Sequence, residues 1–453
     1  MTEASVQLRE TPIKKLFLSY LIPSVLGMVL MAVNVVVDGI FVSHGVGTEG
    51  LAGVNIAVPV FALFFSFSLW IGVGGATLYS ISLGQNEIVK ARSIFTQSFV
   101  FAVLLVGTIA CLALWKETEI AYLFGANDNI LPYVLDYLHV ILLFGIVYVL
   151  ENILSIFIRN DGNPKLAMAG LITTSLTNIL LNYIFIFQLH LGVKGAALAT
   201  VISAGIGLLV LLTHFLRKSS TLRFVKLKFE WAILSQILSI GFPSFIIESS
   251  SALLTMGYNI AFMHFVGETG VTAFAVVNYL HAMFILLFFG VGAALQPIAS
   301  FHFGAQLFER LKEALRLTVL TGIIFGIGAL GIGLLFADAF VMLFGIKSAE
   351  VFDYTVKGIG LFFIGYLFMG YNLVYAEYFQ AIRDTRKSVI IILCRSVFIL
   401  IPLLWILPTI FGGVGIWLAL PISEAITTLF LVLYNRKRNP IPQQSTLTKE
   451  KIV

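Results

Sequence analysis

Twelve long apolar stretches, each of roughly 20 or more residues, follow one another along this chain. Their approximate limits are 16–42, 52–82, 94–115, 131–158, 166–189, 193–216, 235–263, 271–300, 316–338, 351–380, 386–408 and 413–434. A stretch of that length spans the hydrocarbon core of a bilayer as a helix. Charge agrees: only 11% of the 453 residues are charged, against about 25% in a soluble domain. So little charge cannot cover a water-facing surface, and lipid is the solvent for most of the chain. No soluble domain fits between the stretches, and the longest polar segment is near 217–232. The amino-terminal residues are polar to about Glu10, and the first apolar run is long enough to span, so a cleaved signal peptide is not expected. The expected fold class is all-α: a polytopic membrane protein of twelve transmembrane helices.

Lysine and arginine set the orientation, because loops on the cytoplasmic side are enriched in them. With the amino terminus inside, only Lys116, Lys194 and Lys347 fall outside, and Lys357 and Arg395 fall within spans. The other 23 of the 28 basic residues fall inside, Lys449 and Lys451 of the tail among them. The net charge of +5 is therefore read as membrane orientation and not as a nucleic-acid footprint. Both termini are expected in the cytoplasm. Cys111 and Cys394 lie in separate apolar stretches and form no metal or redox spacing.

The chain also repeats itself. A shift of 220 positions brings Pro23-Ser24 onto Pro243-Ser244, and Val46-Gly47 with Gly50 onto Val266-Gly267 with Gly270. The same shift brings Gly195, Leu198, Ala199, Ile202 and Ser203 onto Gly415, Leu418, Ala419, Ile422 and Ser423. Gly72-Val73-Gly74 meets Gly290-Val291-Gly292 with a shift of 218. Six helices followed by six in the same orientation imply two lobes related by a pseudo-two-fold axis along the membrane normal, with the substrate between them. The expected division is an N-lobe over 1–216, a cytoplasmic linker over 217–234, a C-lobe over 235–434 and a cytoplasmic tail over 435–453.

Ionisable groups at membrane depth are costly and need a reason. Asp38 lies in the outer part of the first span, with Asn34 one turn before it on the same face. Asn178 and Asn182 are likewise four apart in the fifth span, and Thr200 lies in the sixth. At ~1.5 Å of rise per residue all five fall in the outer half of the bilayer. One carboxyl among neutral hydrogen-bonding groups suggests a proton or cation site; the alternative is a carboxyl at headgroup level or a satisfied packing residue. The partners of the five at a shift of 220 are Leu254, Tyr258, Phe398, Pro402 and Leu420, so the second half has lost the set.

The second half has other charges. Glu248 lies mid-span, followed by three serines, and is a candidate cation or substrate site together with Asn259. Its alternative reading is a protonated side chain hydrogen-bonded to those serines and Asn259. Arg395 and Glu424, on helices joined by a short turn, are read as a structural ion pair. Glu151 with Asn152, Glu377 with Gln380, and Asp136 with His139 lie toward span ends. They are read as snorkelling interfacial groups, with gating as the alternative for the first two. Pro23 removes a backbone hydrogen bond in the inner third of the first span and is a candidate hinge. Aromatic side chains among the forty phenylalanines are expected to line a cavity suited to flat organic cations. No phosphate-binding loop, HExxH helix or DDxxD cluster is present, so neither ATP hydrolysis nor intramembrane enzymology is indicated. No filter-like loop repeats.

The stretch from Asn34-Val-Val-Val-Asp38 through Gly47-Thr-Glu-Gly-Leu-Ala52, the segment Asn178-Ile-Leu-Leu-Asn182, the Gly241-Phe-Pro-Ser244 motif and Gly192-Val-Lys-Gly195 resemble the multidrug and toxic compound extrusion (MATE) family, in its bacterial MepA-like and DinF-like branch. The resemblance covers nearly the whole chain. It implies two six-helix lobes in a bacterial inner membrane that export cationic, lipophilic compounds in exchange for protons or sodium. It also implies that Asp38 is the protonation site, helped by Asn178, Asn182 and Thr200, and that the first helix bends at Pro23. Relatives often carry aspartate where Asn182 stands; a single carboxyl favours one proton over sodium there, while Glu248 leaves a cation site in the C-lobe open. Expected partners are small organic substrates and the bilayer, with no nucleic acid, no enzyme activity, no resident metal or cofactor and a working monomer. A lipid-linked precursor flippase and a channel-like protein are the competing readings.

Overall fold

A computed structural model describes residues 3–438 and 440–441; the tail cations Lys449 and Lys451 lie outside them. Among the described residues twelve helices are long and apolar enough to cross a membrane, and there is no strand. They are α1 (Ile13–Gly45), α2 (Thr48–Gly84), α3 (Ile88–Trp115), α4 (Leu131–Asn160), α5 (Pro164–Asn182), α6 (Gly192–Leu212), α7 (Trp231–Phe265), α8 (Glu268–Gly304) and α9 (Phe308–Leu343). Three follow: α10 (Ala349–Phe362 and Tyr366–Ala381), α11 (Thr385–Leu393 and Leu400–Phe411) and α12 (Gly413–Lys437). Helices outrun the apolar stretches because a helix needs no apolar side chains beyond the hydrocarbon. Thus α9 begins at Phe308, and Leu311, Ala314 and Leu315 are buried along its first turns.

Local chemistry sets the ends. Asn163 caps α5 by accepting from the Leu166 amide at 3.3 Å, and Pro164 takes the first helical position, where no amide hydrogen is required. Asp384 caps α11 in the same way through the Lys387 amide. The tight turns into α2 and α8 pass through Gly47 (φ 94°) and Gly267 (φ 87°), left-handed positions where a side chain is strained. The two glycines are equivalent under the shift of 220.

The chain forms two compact units. One comprises the segment ending at Thr11 together with Ile22–Phe245; the other comprises Pro12–Leu21 together with everything from Ile246. The division falls inside α1 and α7, within two residues of Pro23 and of Pro243.

In the first unit, residues 221–230 run extended along α3. The Arg92 Nε donates to the Thr221 carbonyl at 3.0 Å, and the Val225 amide donates to Thr96 Oγ1 at 3.1 Å. Gln97 exchanges two hydrogen bonds with the Glu230 backbone. Asp161, just past α4, anchors the start of this segment: its Oδ2 accepts from the Thr221 amide at 3.0 Å, Ser220 Oγ at 3.2 Å and His214 Nε2 at 2.8 Å. Its Oδ1 accepts from the Tyr79 hydroxyl at 2.7 Å.

The second unit is built around an aromatic core. Tyr258 stacks on Phe274 at 4.7 Å, and Phe262 meets Trp417 at 4.4 Å. Leu254, Tyr258 and Leu420, which occupy the positions of Asn34, Asp38 and Thr200 in the repeat, are all part of this core.

Candidate functional site

In the first unit α1, α5 and α6 bring Asn34, Asp38, Asn178, Asn182 and Thr200 into one hydrogen-bonded cluster. The i, i+4 spacing places each pair on one helix face, so two faces meeting suffice to assemble it. Asn182 Nδ2 donates to Asp38 Oδ1 at 2.5 Å and to Asn178 Oδ1 at 2.9 Å. Asn34 Nδ2 donates to Asn178 Oδ1 at 2.9 Å and lies 3.3 Å from the Ser175 carbonyl. Asn178 Nδ2 reaches Thr200 Oγ1 at 3.4 Å. Asn178 and Asn182 are buried.

The Asn178 amide is the pivot of the cluster. The position of its Oδ1 also lies 2.7 Å from Asp38 Oδ1. With oxygen there, the contact is oxygen to oxygen and is favourable only when the carboxyl carries a proton. With nitrogen there, the amide donates to an ionised carboxylate, and its oxygen turns to accept from the Thr200 amide at 3.3 Å. One end of the Asn178 amide thus faces Asp38 and the other faces Thr200, which links α1, α5 and α6 through a single side chain. Asn182 Oδ1 is buried with no donor among the described residues.

Pro23 is a buried residue inside α1, fifteen residues before Asp38 on the same helix. Its missing amide hydrogen removes one rung of the α1 ladder.

In the second unit, Arg395 Nη2 donates to Glu424 Oε1, and both side chains are almost wholly buried. Asn372 of α10, which the sequence did not single out, donates to Glu424 Oε2 at 2.6 Å and to the Glu424 carbonyl at 2.9 Å. Ser423 Oγ donates to the Arg395 carbonyl at 2.7 Å. Every element here supplies a partner, so the charges are compensated where water is absent.

Glu248 and Asn259 lie on one stripe of α7 with Ser251 and Thr255. They are eleven residues apart, about 16 Å of helical rise, so the hydrogen bond to Asn259 in the alternative reading of Glu248 is out of reach. Ser251, Thr255 and Asn259 line a recess of about 500 Å³, and Thr255 Oγ1 donates to Asn278 Oδ1 at 3.4 Å.

Glu151 corrects another reading. It does not snorkel: it is 1% exposed and accepts a short hydrogen bond from Thr174 Oγ1. Tyr137 of α4, also missed, is buried beside Asp38 and the Thr200 hydroxyl. His139, by contrast, pairs with Glu117 at 2.9 Å on an exposed surface, as an interfacial group does.

Twelve spanning helices with polar clusters buried among them define a polytopic membrane protein. The MatE family profile matches residues 23–184 and 243–406. The chain belongs to the MATE family of membrane transporters. Two similar proteins are the multidrug export protein MepA of Staphylococcus haemolyticus and that of Staphylococcus aureus, each 26% identical to this chain. The alignments cover 97% of this chain and 98% of the first, and 94% of this chain and 94% of the second. A solved structure of the outward-facing conformation of a multidrug resistance MATE family transporter of the MOP superfamily superposes with a TM-score of 0.91 at 24% identity. It covers 97% of this chain and 98% of that one, so the fold is shared.

Proposed function

We propose that this protein exports amphipathic, often cationic organic compounds across a bacterial inner membrane in exchange for protons, with Asp38 as the proton carrier and both termini in the cytoplasm. The observation that carries this reading is the buried cluster in which Asp38 accepts from Asn182 at 2.5 Å and lies 2.7 Å from the Asn178 side-chain amide, on two helix faces that also carry Asn34. The staphylococcal relatives, named as multidrug exporters, support the substrate class. The basic-residue asymmetry supports the orientation.

A proton arriving from outside binds Asp38 and turns the Asn178 amide. The turn reorders the bonds that Asn182, Asn34 and Thr200 make. Because Asn34 and Asp38 both sit on α1, the reordering acts on the outer part of that helix, and Pro23 is where it can bend. Loss of the negative charge also weakens the attraction for a cationic substrate, so proton loading favours release outside. Only one carboxyl stands in the cluster, which supports exchange of a single proton there.

The test is ethidium efflux from proteoliposomes under an imposed pH gradient, with and without sodium, for wild type and Asp38→Asn. Proton-driven efflux in wild type, reduced to the leak of empty liposomes in the variant, is the expected result. Sodium-driven efflux that survives the substitution would move coupling to the Glu248 stripe. Absence of efflux under every gradient would refute drug export and favour lipid flipping.

A further inference from the structure

A second cavity, of about 870 Å³, lies between α11 and α12, with Phe379 of α10 also lining it. It has a charged end and an apolar end. Lys387, Lys437 and Arg438 stand at the end where α11 starts and α12 finishes. From there it runs past Tyr434 and Phe430 to Cys394 and Thr427. Thr427 is ten residues from Lys437 along α12, about 15 Å of rise. Phe430 (65% exposed) and Ile390 (52% exposed) leave the cavity open on its apolar side.

Lys387 is held in place: its Nζ pairs with Asp384 Oδ2 at 2.5 Å and lies over the rings of Phe379 at 5.1 Å and Tyr434 at 5.6 Å. Among the described residues no carboxylate pairs with Lys437 or Arg438, so the mouth carries net positive charge. An ammonium and a guanidinium at the membrane face, above an apolar slot that descends ~15 Å into the leaflet, match the two ends of one molecule. The charged end takes a phosphate and the slot takes an acyl chain.

We propose that this groove is a binding site for an anionic phospholipid of the cytoplasmic leaflet. It rests on the inward orientation proposed above but not on the transport reading. Anionic headgroups are drawn to clustered lysines and arginines beside spanning helices, and basic pockets between helices retain them. The bound lipid bridges α11 and α12 at the mouth of the C-lobe.

The test is native mass spectrometry of the full-length protein in neutral detergent, titrated with phosphatidylglycerol or with phosphatidylcholine of the same chain length. Wild type retains phosphatidylglycerol in preference to phosphatidylcholine. The Lys437→Gln/Arg438→Gln double variant, whose thermal midpoint in neutral detergent matches wild type because both side chains are exposed, loses that preference on the order of tenfold or more. Charge reversal at Lys437→Glu removes the same net charge from the mouth and lowers the preference to a similar extent. Equal retention of the two lipids by wild type, or an unchanged preference in the double variant, overturns the proposal. So does displacement of the lipid by millimolar glycerol phosphate, which would make the site one for a free anion. Preference that appears only after removal of residues 442–453 also overturns it, by making the chain's own tail the occupant.

Discussion

Glu151, Thr174 and Gly207 meet where α4, α5 and α6 cross, and their packing shows how little slack the first unit has. A Cβ built on Gly207 would stand 1.9 Å from Thr174 Oγ1 and 2.5 Å from Glu151 Oε1. Neither atom is the free end of a mobile side chain, because each is bonded to the other. Gly207→Ala is therefore expected to cost about 1–3 kcal/mol, the usual range for overpacking a core, read as a lower thermal midpoint in detergent. An unchanged midpoint would mean that the three helices can part. Glu151 was misread in the sequence for a physical reason. Linear position gave its depth, but an apolar helix gives no direction, since hydrophobic residues on all sides hide which face is buried. In α4, 67% of the spanning window is buried, so depth plus neighbours decides, and the neighbours come from other helices. Asn34, Asp38, Asn178 and Asn182 were legible because pairs four apart declare a shared face by themselves.

Between helices, the Arg395–Glu424–Asn372 set joins α10, α11 and α12. Arg395→Met leaves the Glu424 carboxylate buried with Asn372 alone, and a broken buried pair typically costs about 3–5 kcal/mol. The Arg395→Met/Glu424→Gln double variant removes both charges and is expected to recover most of the loss in midpoint. Equal loss in the single and double variants would show that packing, and not charge, is at stake. Arg395 also sits in a π turn, Cys394–Phe398, and a second π turn, Tyr183–Gln188, follows directly on Asn182. Such turns place side chains off the regular helical spiral and often mark functional positions. No residue pattern announces them, so the sequence yielded straight helices there. The Asp161 anchor was equally hidden, because its donors come from Tyr79, His214 and the backbone near residue 221, far apart in sequence. Asp161→Ala leaves those buried donors unmatched. Amide exchange over 217–230 is predicted to accelerate while exchange in α8 stays as in wild type. Uniform acceleration across the chain would instead indicate global loosening.

At the scale of the molecule, the repeat and the run of apolar stretches made the twelve-helix fold readable, and the family match agrees with it. The crossing of the unit boundary at α1 and α7 was not readable, since covalent continuity of a helix says nothing about which neighbours its first turns choose. The asymmetry between halves carries the functional argument. The position that holds Asp38 in one half holds Tyr258 in an aromatic core in the other, and the proton exchange proposed above is a proposal about the first unit. The direct measurement is proton release when a cationic substrate such as ethidium binds the purified protein in weakly buffered detergent. About one proton per bound ethidium in wild type, and none in Asp38→Asn at matched occupancy, is the predicted result. Equal release from both proteins would contradict the account and place the exchanged proton on another carboxyl.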